Sequence, residues 1–156
     1  MNKIKVIFLP INVLETTLGK FKEYGKKCLE VFAIWVGKEK NIDFIIKDVW
    51  IPTQYNTILS YYVPDIDVHK INVELNKKNY SAVAQLHTHP ENAFHSCIDD
   101  NYSILTLSGS FSIVVPDFGK ISIRDGLNKM VVYRLINKKW VLQSKIKVNK
   151  LFKIIE

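Results

Sequence analysis

Two stretches constrain the architecture more than any other feature: "EVFAIWV", beginning at Glu30, and "YSAVAQLH", beginning at Tyr80. Both are rich in β-branched, aromatic or small apolar residues and alternate only loosely, as strands buried within a sheet do. A sheet of that kind needs helices packed on it. Two segments supply the helical period. Ile11, Leu14, Leu18, Phe21, Gly25 and Cys28 recur at alternating steps of three and four, one face of a helix. It follows a short strand, "IKVIFL", ended by Pro10; Asn12 and Glu15 form an expected capping pair, and Gly25 or Lys27 is the expected end. Residues 65–78, with Val68, Ile71, Val73 and Leu75 among charges, form the second helix.

The remaining pieces read as strands. "EVFAIWV", ended by Gly37, pairs with "IDFIIKDVWI" across the turn "GKEKN", and "TILSYYV" is another strand before Pro64. A meander of "GSFSIVVP", "GKISIRD", "KMVVYRLI" and "KWVLQS" follows, and Lys145 to Lys153, "KIKVNKLFK", alternates like a strand with one solvated face. The expected class is α+β: one domain over residues 1–156, a sheet-rich core with two or three helices. At that length a chain buries roughly 70% of its unfolded surface, enough for a real core.

Composition removes several classes. With 47% hydrophobic and 24% charged residues the chain is neither disordered nor fibrous. Cys28 and Cys97 are too few for a disulfide framework, no export signal is legible, and the expected compartment is the cytoplasm. No stretch approaches the roughly 20 apolar residues of a membrane span, so no membrane partner is expected. The net charge of +7 comes mostly from scattered lysines. Solvated faces account for such scatter better than a nucleic-acid surface, although a basic nucleic-acid binder is a rival reading.

The chemistry concentrates in "LHTHPENAFHSCIDD", Leu86 to Asp100, which holds three of the four histidines. Residues two apart on a strand point to one side, so His87 and His89 can converge on one ion before Pro90 stops the strand. Asp99, at the start of a short helix expected from Ile98 to Leu107 with Ser96 near its N-cap, is a natural carboxylate donor. Two imidazoles, one carboxylate and a water make the open site of a catalytic zinc ion, whereas a closed structural site would carry more thiolates. A histidine-rich surface loop is the competing reading. His69 stands alone in the second helix, and His95 and Cys97 have no assigned partner.

His87-x-His89-Pro90 followed by Ser96-x-x-Asp99 resembles the signature of the JAMM metalloproteases of the JAB/MPN domain type. Their pattern adds a glutamate upstream, opening a strand that ends in glycine about seven residues later; Glu30 to Gly37 matches it. The helix before "EVFAIWVG", "VWIP", "AFHSCIDD" and "SIVVPDFG" are similar to bacterial JAB proteins that accompany ubiquitin-like modifier systems, from about Asn12 to Leu142. One departure is the five-residue spacer Glu91 to His95, one shorter than is usual in eukaryotic members.

The resemblance implies a JAB/MPN-like, cytidine-deaminase-like layered fold, a mixed central sheet flanked by two or three helices. It implies one zinc ion held by His87, His89 and Asp99, with Glu30 as general base and then acid. Ser96 would be an oxyanion donor, an N-cap or both. The implied reaction is hydrolysis of the amide after the tail of a ubiquitin-like protein, in modifier processing or antiphage defence. Adenylating or conjugating enzymes encoded alongside would be partners. A scaffold module on the same fold is the alternative, since many MPN domains lack the ligands.

Overall fold

The computed structural model describes residues 1, 3–94 and 103–156. Its first strand, β1 (Val6–Pro10), passes without a loop into α1 (Ile11–Gly25), because Pro10 serves both. The fixed φ of proline suits a strand end and a helix N-cap, where no N–H is needed. Pro10 therefore displaces the expected Asn12–Glu15 capping pair, and Asn12 instead lies in the first turn, its carbonyl accepting from Thr16 Oγ1. Val13, Leu14, Thr17, Leu18, Phe21 and Gly25 face inward. Ile11 is left 37% exposed, and Cys28 falls beyond the helix, exposed at φ 54°.

The chain next forms β2 (Phe32–Lys40) and β3 (Asp43–Trp50), then a small ribbon of β4 (Tyr55–Asn56) and β5 (Tyr61–Tyr62). After α2 (Asp65–Lys78) come β6 (Ser81–Thr88), β7 (Phe111–Val115), β8 (Val131–Ile136) and β9 (Lys139–Leu142). The end is α3 (Lys145–Leu151) and β10 (Phe152–Ile155). Apart from the ribbon, the described strands form one mixed sheet in the order β10-β1-β3-β2-β6-β7-β8-β9. β1 runs parallel to both β10 and β3, β6 runs parallel to β7, and the other neighbours are antiparallel.

The loose alternation of β2 has a direct cause, since its two faces feed different cores. Ala33 and Trp35 join Leu14, Leu18, Phe21, Leu86 and Ile113 on the α1 side. Phe32, Ile34 and Val36 join Val63 and Ile71, with Val68 and Leu75 of α2, on the other. Trp35 is fully buried, and its indole N–H donates to Thr17 Oγ1 at 2.9 Å, which in turn donates to Val13 O at 2.7 Å. A buried donor left without such a partner would cost stability.

Several local expectations change. Gly37 does not end its strand but sits at a register shift, and β2 runs on to Lys40 before a tight turn in which Asn41 takes φ 60°. A Cβ at Gly37 would lie 2.0 Å from Ile45 O, so only glycine fits the bulge. "TILSYYV" yields only the two residues of β5. "GKISIRD" is not a strand: Ser122 and Asp125 bond each other and each other's backbone, and such local bonds favour turns over ladders. Lys145 to Lys153 is a helix followed by a strand, because Ser144 caps it through Lys147 N and the buried pair Val148 and Phe152 is spaced by four. Without a strand at "GKISIRD" the meander is β7, β8 and β9, paired antiparallel in chain order. Of the expected helix Ile98 to Leu107, residues 103–107 are not helical and the rest lies outside the described residues. No helix among the described residues is long and apolar enough to cross a membrane.

Gly37→Ala is expected to lower unfolding free energy by about 1–3 kcal/mol through this backbone clash, read from urea denaturation. Gly19→Ala, in open space on the exposed side of α1, is expected to raise it by about 0.5–1 kcal/mol.

Candidate functional site

The register Phe32↔His87 sets the geometry of the site. Residues paired directly across a sheet point to the same face, so His87 lies on the α2 side with Phe32. The antiparallel pairing continues one step past β2: Thr88 N donates to Val31 O at 3.1 Å, and Val31 N donates to Thr88 Oγ1 at 3.0 Å. Glu30 thus precedes the strand it was expected to open, one residue before this last bonded pair.

The backbone around Glu30 is held from outside the sheet. Its N–H donates to Thr57 O at 2.8 Å, and its carbonyl accepts from Asn56 Nδ2 at 2.7 Å. Gln54 acts as a surrogate strand for Phe32, with Phe32 N donating to Oε1 at 2.8 Å and Nε2 donating to Phe32 O at 2.9 Å. Asn56 Nδ2 also reaches Gln54 Oε1 at 2.9 Å, tying the two amides together. With this support the Glu30 side chain is 4% exposed. A carboxylate so withdrawn from water is costly unless it is paired or hydrogen-bonded.

His89 is fixed although it lies beyond β6. Its N–H donates to Val115 O at 2.9 Å, and its carbonyl accepts from Phe118 N at 2.8 Å. Phe118 belongs to a 3₁₀ turn, Asp117–Gly119, in which Asp117 and Phe118 take φ of 52° and 50°. Two consecutive left-handed residues other than glycine are strained and persist only where surroundings enforce them. The enforcement comes from α1: a Cβ at Gly25 would meet Phe118 Cβ at 2.5 Å, and one at Gly119 would meet Phe21 Cβ at 2.6 Å.

The two imidazoles converge. His87 Nε2 and His89 Nε2 are 3.2 Å apart, their ring centroids are 5.0 Å apart, and the residues are 0% and 7% exposed. Tyr61 packs against the His87 ring at 5.5 Å and stacks on Phe32 at 5.1 Å, while Phe94 meets His89 edge-on at 4.7 Å. Two nitrogens bound to one tetrahedral zinc ion at 2.0–2.1 Å stand about 3.3 Å apart, so the pair fits half of such a ligand set. No cluster of three or more potential ligands is formed among the described residues. Asp99 and Ser96, like His95 and Cys97, lie outside them. His69 is exposed on α2.

Four residues that hold this arrangement escaped the sequence reading: Gln54, Asn56, Tyr61 and Thr88. Their partners lie far along the chain.

No family model matches the sequence. A curated protein of Sinorhizobium fredii (strain NBRC 101917 / NGR234), "Probable metalloprotease y4jG", is 32% identical over 124 residues, 77% of this chain and 76% of that protein. The solution structure of protein DSY2949 from Desulfitobacterium hafniense superposes with a TM-score of 0.67 at 11% identity, covering 97% of this chain and 94% of that one. At that identity the likeness is one of fold.

Thr88→Val keeps the shape of a fully buried side chain but strips Val31 N–H of its hydroxyl partner. The expected loss is about 1–3 kcal/mol of unfolding free energy, measured by urea denaturation.

Proposed function

Because the chain belongs to the metalloprotease family of the Sinorhizobium fredii protein, we propose that it is a zinc peptidase of the JAMM type on a JAB/MPN-like fold. Its substrate in this reading is the amide that follows the C-terminal tail of a ubiquitin-like modifier. It acts in the cytoplasm on precursors or conjugates of that modifier, alongside the enzymes that adenylate and transfer it. The observation that carries the reading is the pair of buried Nε2 atoms 3.2 Å apart, with a buried Glu30 just before the neighbouring strand.

His87, His89 and Asp99 would hold the zinc ion, two from the end of β6 and one from the connection to β7. Bound zinc would supply Lewis acidity, which lowers the pKa of water toward the neutral range. The Glu30 carboxylate takes the proton of the attacking water and returns it to the departing amine. The Ser96 hydroxyl donates to the carbonyl oxygen of the scissile amide as negative charge gathers there. Tyr61 and Phe94, packed on the two imidazoles, shield them from bulk water.

Purified protein offered zinc is expected to retain about one equivalent per chain, and His87→Ala and His89→Ala to lose it, by elemental analysis. Glu30→Gln should keep the metal while cleavage of a linear fusion to a ubiquitin-like protein, followed by mass spectrometry, slows by roughly 10²–10⁴-fold. Less than about half an equivalent of zinc in the wild-type protein would remove the reading. Cleavage undiminished in Glu30→Gln would remove Glu30 from its role.

A further inference from the structure

The positive charge of the chain is unevenly placed. Between Gly126 and Ile155 stand eight Lys and Arg residues and no Asp or Glu. Two of these cations are spent on nearby carbonyls: Lys145 Nζ donates to Met130 O and Leu127 O, and Lys153 Nζ to Asn149 O at 2.8 Å. Arg134 of β8 and Lys147 and Lys150 of α3 are used differently. With Lys5, just before β1, they surround a cavity of about 230 Å³ that no described carboxylate lines. The ion pairs formed among the described residues include none of the four.

This cavity lies on the face of the sheet away from the histidines. Arg134 is paired directly across from Phe111, so both point to one side, and Phe111 belongs to the α1-side core with Leu86, the neighbour of His87. The guanidinium carbon of Arg134 stands 5.3 Å from the centroid of the Phe111 ring, a cation–π contact that fixes the half-buried group. Of its five N–H donors, one reaches a described acceptor, Met1 O, at 3.5 Å from Nη2. Burial lowers the pKa of Arg134, the sign of a cation withdrawn from water without a counter-charge. Lys147 and Lys150, three apart on α3, are neighbours on one side of that helix and repel each other.

We propose that this cavity is an anion site that binds a phosphate group, either free or carried on a small molecule. A ligand with two or more negative charges offsets a repulsion among four cations that the described protein leaves uncompensated. The Arg134 fork matches two phosphate oxygens at once, while the three ammonium groups act as point charges from other directions. Size favours a small ligand, because the cavity is below the roughly 300–1,000 Å³ of sites that enclose drug-sized molecules. The site is independent of the zinc reading and stands or falls without it.

The test is isothermal titration calorimetry of the full chain at low salt with pyrophosphate, inorganic phosphate and AMP, with thermal melts alongside. One pyrophosphate per chain is expected. Lys147→Gln/Lys150→Gln, both exposed on α3, should weaken its binding by at least roughly tenfold, and Arg134→Gln by roughly 10–100-fold. Arg134→Lys should fall between wild type and Arg134→Gln, since it keeps the charge and loses the fork. Lys26→Gln/Lys27→Gln removes the same charge just past α1 and should change affinity by less than about twofold. AMP binding at least as tightly as phosphate identifies a phosphomonoester as the ligand class; phosphate and pyrophosphate binding without AMP identifies the free anion, and both support the site. Neither heat nor a raised melting temperature with any of the three, or equal weakening in the two double-lysine variants, overturns it. Single-stranded DNA that binds more tightly than pyrophosphate, with affinity rising with length, also overturns it in favour of an extended basic surface. Should Arg134→Gln fail to fold, the α3 double variant decides alone.

Discussion

The antiparallel pairing of β2 with β6 is the constraint on which the rest of the molecule depends. Side chains alternate along a strand, so a slip of one residue in the Phe32↔His87 register would send Glu30 and the histidines to opposite faces. Nothing in the ladder itself forbids that slip, and the specificity comes from the flanks. Trp35 must reach Thr17 on one side, while Gln54 grips both backbone groups of Phe32. Thr88 hooks Val31, and the bulge at Gly37 admits no side chain. Each of these contacts exists in one register only.

The polar groups of the site fall into two sets. Glu30 just before β2, His87 in β6 and His89 just after it are buried, and the backbones of Glu30 and His89 are hydrogen-bonded to neighbouring segments. This half is rigid because the core cannot repack without moving it. Ser96 and Asp99, which the sequence reading adds to them, lie in the connection between β6 and β7, outside the described residues.

What could be read from the sequence was whatever depends on neighbours close along the chain. The period of two put His87 and His89 on one side, the period of three and four placed α1 and α2, and Pro10 and Pro90 marked where strands stop. The same local rules misled where two patterns coincide. In "KIKVNKLFK" an alternation of apolar residues also contains Val148 and Phe152 four apart, and the Ser144 cap decided for the helix. Gln54, Asn56 and Thr88 were silent for a different reason. Each acts on a backbone group 22 to 57 residues away, and no pattern near the residue records that distance. The superposition with DSY2949 at 11% identity makes the same point from the other side, since burial and period suffice for the architecture while chemistry resides in a few placed groups.

The parallel alignment of β6 and β7 obliges the chain to travel back along the sheet before it can pair again, because no hairpin joins strands that point the same way. The span to be bridged sets a minimum length for that journey and almost no maximum: doubling a flexible connection costs only about 0.6 kcal/mol. Strands, helices and the histidine pair are indifferent to how much chain is spent there. The architecture therefore separates inheritance from innovation. A lineage can lengthen or recompose that one excursion while the sheet beneath it is passed on unaltered.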